Sequence, residues 1–310
     1  MIATLTLNPS IDYVMKCPEI LSGETNRSTG EQIYPGGKGI NVSIMLRRLG
    51  RESRCIAVKA GATGELLEKL LYQQGLSPEF ISLEEGFTRI NVKLQGREIT
   101  EINAKGPALP SNAMKSIFQK LDILQEDDIL VIAGRFPEGE ASEMLFSKLS
   151  WLKSRGVKLA VDCSGPALRR LMEIGPFLVK PNLREFKELT GISVTDWENI
   201  SHAAGRFWQQ GNSESFGAEH ILLSMGKDGA VLFWNKENVL FAEVFDGEAV
   251  NTVGAGDSML AGCLAAYLDG EEPEGIIRMA VACGSATAFS PWIAEKPLPL
   301  EDIIPEYLSY

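Results

Sequence analysis

The chain has 310 residues, 45% hydrophobic and 23% charged, with a formal net charge of −11; that is the profile of a globular protein long enough to build a core without staples. The acidic balance excludes a surface made for nucleic acid, whose phosphates are met by Lys and Arg, so any phosphate must be held by local features. Five cysteines without a CxxC (Cys17, Cys55, Cys163, Cys263 and Cys283), two distant histidines (His202 and His220), no leader pattern in MIATLTLNPS and no apolar run near the ~20 residues of a membrane span argue against zinc sites, catalytic triads and a membrane partner, and point to a cytoplasmic location.

The run IATLTLNP is β-rich and stops at the turn signal Asn8-Pro9. The stretches 12–17 and 26–34 are polar, mixed strands suited to a small exposed sheet. GGKGINVSIMLRRLG sets Ile40, Ile44, Met45 and Leu49 at helical spacing and stops at Gly50. A strand is expected over 54–60 and a helix over 65–75; 89–94 and 98–103 then alternate across the break Gln95-Gly96-Arg97. From there the pattern becomes regular: strand 128–134, helix 140–155, strand 157–163, helix 166–173, strand 177–180, helices 183–190 and 196–210, a surface loop at 211–215, strand 220–226, and a late helix through Met259–Leu268. Strands alternating with helices predict an α/β fold whose mostly parallel sheet is covered on both faces. No repeat or low-complexity linker divides the chain, so residues 1–310 read as a single domain. The strands within about 12–33 and 88–103 interrupt the alternation and are expected to lie outside the main sheet.

In NTVGAGDSMLAG (251–262), Gly254, Ala255 and Gly256 stand against Asp257 at a helix entry. Two readings fit: Asp257 caps the helix, or bare N–H groups and the helix dipole hold a phosphate while Asp257 takes a proton. GGKGIN (36–41) brings backbone close to a ligand and offers Asn41 to a polyol, or is only a flexible turn; it lacks the spacing of a Walker A loop. KPNLRE (180–185) follows a buried strand, at the edge where ligands of open α/β sheets bind. There Asn182 and Glu185 suit either Mg²⁺ or a capping box. SMGKDG (224–229) leaves room for a ligand at the backbone, or turns a hairpin into AVLFW.

Together these stretches resemble the PfkB (ribokinase-like) carbohydrate kinases over nearly the whole chain: Gly36–Gly50 and Asn251–Gly262 are similar to the two family signatures, and KPN..E and S.G..G to its metal and nucleotide elements. The resemblance implies a central, mostly parallel sheet with helices on both faces and a small β-sheet lid. It implies ATP and Mg²⁺ as cofactors, with Gly254, Ala255 and Gly256 as the anion hole and Asp257 as general base. Substrate would be bound by Asp12, Gly36, Gly37, Asn41 and Asn103, and its phosphate by Arg27, Lys38 and Arg89. The nucleotide would meet Lys180, Asn182, Ser224, Gly226, Lys227, Gly229 and Asn251, and the metal Glu185 with Asn182. For Arg89 the competing reading is a surface strand charge.

TLNPSID (6–12), TRINVKL (88–94) and TEIN..GP (100–107) are similar to the bacterial 1-phosphofructokinase branch of the family, which implies phosphorylation of fructose 1-phosphate at carbon 6. The alternatives are a tagatose-6-phosphate kinase, another phosphosugar kinase, or a non-catalytic sugar-phosphate-binding paralogue; the intact GAG-Asp run argues against the last. In AGRFPEG, Arg135 stands where phosphosugar kinases of the family usually carry Ser. An Arg there either supplies a bidentate phosphate contact or marks a different substrate. The lid strands would leave Val14, Ile33, Ile90, Val92 and Leu94 partly uncovered, which favours a homodimer clasped through the lids.

Overall fold

A computed structural model describes residues 1–97, 99–191, 217–235 and 238–308; the expected helix 196–210 and loop 211–215 lie outside the described residues. In chain order the elements are β1 (Ile2–Thr6), β2 (Ser10–Lys16), β3 (Gly30–Gly36), α1 (Lys38–Arg48), β4 (Arg54–Ala60), α2 (Gly61–Gln73), β5 (Glu79–Leu83), β6 (Arg89–Gln95), β7 (Ile99–Asn103) and α3 (Ser111–Leu121). They continue as β8 (Ile129–Ala133), α4 (Glu140–Ser154), β9 (Lys158–Asp162), α5 (Gly165–Ile174), β10 (Leu178–Val179), α6 (Leu183–Thr190) and β11 (His220–Ser224). The last are β12 (Ala230–Trp234), β13 (Asn238–Ala242), α7 (Ala255–Leu268), α8 (Pro273–Ala288) and β14 (Glu306–Tyr307).

Ten strands form the body sheet in the order β14-β13-β12-β11-β10-β9-β8-β1-β4-β5. From β5 across to β11 every pair is parallel; β12, β13 and β14 add on as an antiparallel edge. Alternate residues of each strand go to opposite faces, and here both faces are apolar. Leu130 and Ile132 pack with α3, α4, α5 and α6 on one side, while Ile129, Val131 and Ala133 pack with α1, α2, α7 and α8 on the other. From β1 the chain moves outward to β4 and β5, then returns to β8 and runs the other way. The carboxyl ends of β1 and β8 therefore flank a topological switch point, where such sheets open a crevice for ligands.

A second, four-stranded sheet in the order β3-β2-β6-β7 stands beyond that crevice. Its register puts Ser10 beside Arg89, Asp12 beside Asn91 and Val14 beside Lys93, so these residues share one face. Asp12, Asn91 and Lys93 on that face are buried, whereas Ile33, Ile90 and Ile102 on the other are exposed at 45%, 40% and 58%. Val92 and Leu94 are half-buried. Val14 departs from expectation: it is buried, because it lies on the polar inner face beside Lys93 and not on the outer one. The expected strand 26–34 is shifted to Gly30–Gly36, and residues 26–29 form the turn before it. Among the described residues no helix is long and apolar enough to cross a membrane, and all five cysteines are free and buried.

Candidate active site

The late glycines place Asp257. Gly254 adopts the left-handed conformation (φ 83°), and a Cβ on it would strike the Ile293 side chain. α7 therefore starts abruptly, with Gly254 at its N-cap position and no side-chain cap. Asp257 makes no capping bond; its Oδ2 accepts from Asn41 Nδ2 at 2.8 Å. The capping reading therefore does not hold: the carboxylate faces α1, not its own helix. Asn251 shapes the turn, its Oδ1 accepting from the Val253 N–H (3.0 Å) and its Nδ2 donating to the Pro291 carbonyl (2.9 Å).

Opposite this turn lies a charge cluster in which Asp162 and Lys180 are buried and Lys38 is partly exposed. Asp162, the last residue of β9, accepts from Lys38 Nζ at 2.8 Å through one oxygen and pairs with Lys180 Nζ at 3.2 Å through the other. A Cβ on Gly256 would lie 3.0 Å from Lys180 Nζ, close enough that the ammonium would have to give by a few tenths of an ångström at the start of α7. Two ammonium groups and a helix N-terminus thus converge on one point, an arrangement that suits an anion. Burial, and then the nearby Asp162 carboxylate, push Asp257 up to about 6 against the pull of Lys38, Asn41 and Lys180. Burial works against the charge on Lys38, but Asp162, Asp257 and Glu185 outweigh it and hold that ammonium above its ordinary value. Asp162 is held below the usual carboxylate range: burial opposes this, and Lys180 and Lys38 prevail.

A cavity of about 810 Å³ opens beside the cluster, lined by Thr6, Lys38, Arg89, Arg135, Ser164 and Arg170 among others. Arg89 and Arg135 meet here. Burial lowers the Arg89 guanidinium below its ordinary value; Asp12 opposes this and the like charge of Arg135 adds to it. Arg135 leans on Glu138 at 2.6 Å, and Arg170 is paired with Glu143. Arg89 Nε and Thr6 Oγ1 are buried without a partner. An anion in this cavity would relieve both the repulsion and the missing hydrogen bonds.

On the lid, Asp12 accepts from Ser10 Oγ (2.9 Å), Asn91 Nδ2 (3.0 Å) and Lys93 Nζ (2.9 Å). Gly36 is required where β3 passes this carboxylate, since its Cβ would fall 2.5 Å from Ser10 Oγ and 2.7 Å from Asp12 Oδ1. Gly37, at φ 118°, turns the chain into α1. Asn103 pairs with Asn91 in register but is exposed. Arg27 is not brought to this site in its own chain: it is exposed in the turn before Gly30, beyond the end of the lid opposite Gly36.

At the carboxyl ends of β10 and β11 the structural readings of two motifs are realised. Asn182 and Glu185 form a capping box: Asn182 Oδ1 accepts from the Glu185 N–H (2.9 Å), and Glu185 Oε2 from the Asn182 N–H (3.0 Å). Gly229, at φ 102°, packs its Cα against the Ala242 carbonyl and closes the β11–β12 hairpin. Gly226, Lys227 and Asp228 are exposed. Gly226, at φ 64°, has no neighbour where its Cβ would be, so this backbone is open to a ligand. Ser224 is half-buried, with Oγ 3.3 Å from the Pro181 carbonyl. Among the described residues no group of three or more His, Cys, Asp or Glu could hold a metal on its own.

Asp162, Lys93, Asn91, Thr6 and Ser10 escaped sequence reading. Asp162 ends an apolar strand, VKLAVD, directly before Cys163 and the short link into α5, and a carboxylate at the carboxyl end of a buried parallel strand is itself a usable signal. Asn91 and Lys93 alternate with Ile90, Val92 and Leu94, which reads as an ordinary half-exposed strand until its polar face proves to be the inner one.

The pfkB family carbohydrate kinase pattern matches residues 5–296. A 1-phosphofructokinase of Bacillus subtilis is 39% identical over 306 residues, covering 99% of this chain and 98% of the relative. A D-tagatose-1-phosphate kinase of Bacillus licheniformis is 32% identical, covering 94% and 93%. The crystal structure of phosphofructokinase-2 from Escherichia coli in complex with substrates and products superimposes with a TM-score of 0.86 at 30% identity, covering 93% of each chain.

Proposed function

Because this chain belongs to the pfkB family of carbohydrate kinases, and within it is a phosphosugar kinase, we propose that it transfers the γ-phosphoryl group of ATP to carbon 6 of fructose 1-phosphate. The observation that carries this reading is the buried Asp257 at the start of α7, held by Asn41 and set against the Lys38–Asp162–Lys180 cluster. With a pKa pushed up to about 6, Asp257 is ionised at neutral pH yet basic enough to accept the proton of the attacking hydroxyl. The start of α7 at Gly254, Ala255 and Gly256, where the Ala255 N–H also donates to the Thr252 carbonyl at 3.3 Å, meets the charge on the moving phosphoryl group with Lys180 beside it. Asp12 and Asn41 orient the sugar; Arg89 and Arg135 hold its own phosphate. Lys38 links the cavity to the cluster.

The adenosine end of ATP lies along Ser224, Gly226 and Lys227, whose backbone is open. The residues present fit Mg²⁺ through one carboxylate: Glu185 keeps an oxygen outside its capping box, and this ion takes few protein ligands beside water and phosphate oxygens. When bound, Mg²⁺ neutralises charge on the triphosphate. The entire chain, 1–310, acts as one kinase domain with its lid, in the cytoplasm. Its exposed Ile33, Ile90 and Ile102 form the face through which two lids clasp in a homodimer.

A second reading, phosphorylation of tagatose 1-phosphate, draws support from the Bacillus licheniformis relative. ADP release with fructose 1-phosphate, tagatose 1-phosphate, tagatose 6-phosphate and fructose 6-phosphate, each with and without Mg²⁺, tests the proposal. The highest kcat/KM is expected for fructose 1-phosphate; no turnover with any of them would favour a sugar-phosphate-binding protein instead.

A further inference from the structure

We propose that Asn91 reads a hydroxyl of the phosphosugar from the lid, and that Lys93 is a positioning residue that holds Asp12, and through it Asn91, in place. This inference rests on the phosphosugar-kinase reading above.

The site contains two Asp–Asn pairs built alike. In the body, Asn41 Nδ2 donates to Asp257 Oδ2 at 2.8 Å, and Asn41 Oδ1 is buried without a partner. In the lid, Asn91 Nδ2 donates to Asp12 Oδ1 at 3.0 Å, and Asn91 Oδ1 is likewise buried without a partner. A carboxylate can only accept, so each Asp fixes which end of its amide faces it and turns the amide oxygen the other way. Both left-over atoms are acceptors, and each needs a donor. A neutral hydroxyl supplies one; a phosphate does not.

The lid pair has a member that the body pair lacks. Lys93 Nζ donates to Asp12 Oδ2 at 2.9 Å, while Ser10 Oγ and Asn91 share Oδ1. Asp12, Asn91 and Lys93 are 7%, 7% and 6% exposed in a sheet that turns Ile33, Ile90 and Ile102 to solvent. A sheet that served only as a cover would turn apolar side chains inward. The strand also sets a spacing: Arg89, Asn91 and Lys93 share one face of β6, each step being about 7 Å. With the sugar phosphate at Arg89, a hydroxyl further along the same molecule reaches Asn91, and Lys93 closes the row by fixing Asp12.

Initial rates and thermal unfolding of the intact chain, with fructose 1-phosphate and its epimer tagatose 1-phosphate, test this. Asn91→Ala is expected to raise KM for the phosphosugar about 10-fold while KM for ATP stays within about twofold. It should also shrink the rise in melting temperature given by the phosphosugar alone, and move the kcat/KM ratio of the two epimers toward one. Lys93→Met should reproduce the KM rise and Lys93→Arg should reverse most of it. Where Asn91→Ala does not fold, Asn91→Ser gives the same readouts. An unchanged phosphosugar KM and epimer ratio in a folded Asn91 variant, with an active wild type, overturns the role of Asn91. A wild type that forms no ADP with any ketose phosphate overturns the phosphosugar reading itself.

Discussion

In the body, β8 carries Ile129, Leu130, Val131 and Ile132, all buried, and sends them alternately to two helix layers. In the lid, β6 turns Asn91 and Lys93 inward and leaves Ile90 in solvent. The body satisfies the ordinary rule of a doubly covered sheet and needs nothing beyond its own chain. The lid inverts that rule: it buries Asp12, Asn91 and Lys93 on its inner face and leaves Ile33, Ile90 and Ile102 in solvent on its outer one. One sheet is shaped by its own core, and on the proposed function the other is shaped by what it holds and what it docks against.

The difference should appear first in stability. Leu130→Ala removes a fully buried side chain between β8 and the α3–α6 layer and is expected to cost about 2–5 kcal/mol in denaturant unfolding. A cost near zero would mean that the sheet does not carry the core. Next comes the cavity at the lid's inner edge. Arg89→Ala should raise KM for the phosphosugar on the order of 10- to 100-fold, the worth of a charge-assisted contact, with little change for ATP. Equal rises for both substrates would place Arg89 on the nucleotide side or in the fold. Arg135→Ser should weaken the same step less, because Arg135 is exposed and shared with Glu138.

A further expectation separates the catalytic carboxylate from the lid by pH. On the proposed mechanism Asp257 must be deprotonated to act, and its pKa in the free enzyme is raised to about 6. The kcat/KM is therefore expected to be full above that pH and to fall about tenfold per unit as pH drops below it. A kcat/KM flat down to pH 5 would remove Asp257 from the proton transfer. The smallest effect belongs to the outer face of the lid. Ile102→Ser should change the stability of a single chain by no more than about 0.5 kcal/mol. Ile33→Lys combined with Ile102→Lys should lower the mass seen by light scattering from about twice 33.9 kDa to 33.9 kDa. A wild type already at the lower mass would mean that the isoleucines are exposed without a partner.

The body was legible because its signals are local. Apolar runs such as Ile129–Ala133, glycine stops and strand–helix alternation fix element type without knowledge of neighbours. The edge strands β5 and β14, the buried strand β13 and the helices α3 and α8 were not read. β5 and β14 are short and half or fully exposed, so they lack a buried run, and α8 is rich in small residues whose helical spacing is weak. In the site, Asp257, Asn41, Lys38, Arg89 and Asp12 stood in glycine-marked or strand-end motifs and are brought together. Asp162, Asn91 and Lys93 were missed because their meaning lies in pairs 124, 79 and 81 residues apart along the chain. Arg27 lies apart from them within its own chain: a cation near a motif in sequence sits at the far end of a hairpin in space.

The rate of ADP release by wild type and Asp257→Asn, side by side at saturating fructose 1-phosphate and Mg²⁺-ATP, bears on the whole reading. The amide keeps the size of the side chain and its place beside Asn41 but cannot take the proton. A fall in kcat of about 10²–10⁴ is expected, with ATP affinity and melting temperature preserved. A folded Asp257→Asn protein that turns over at the wild-type rate would contradict it.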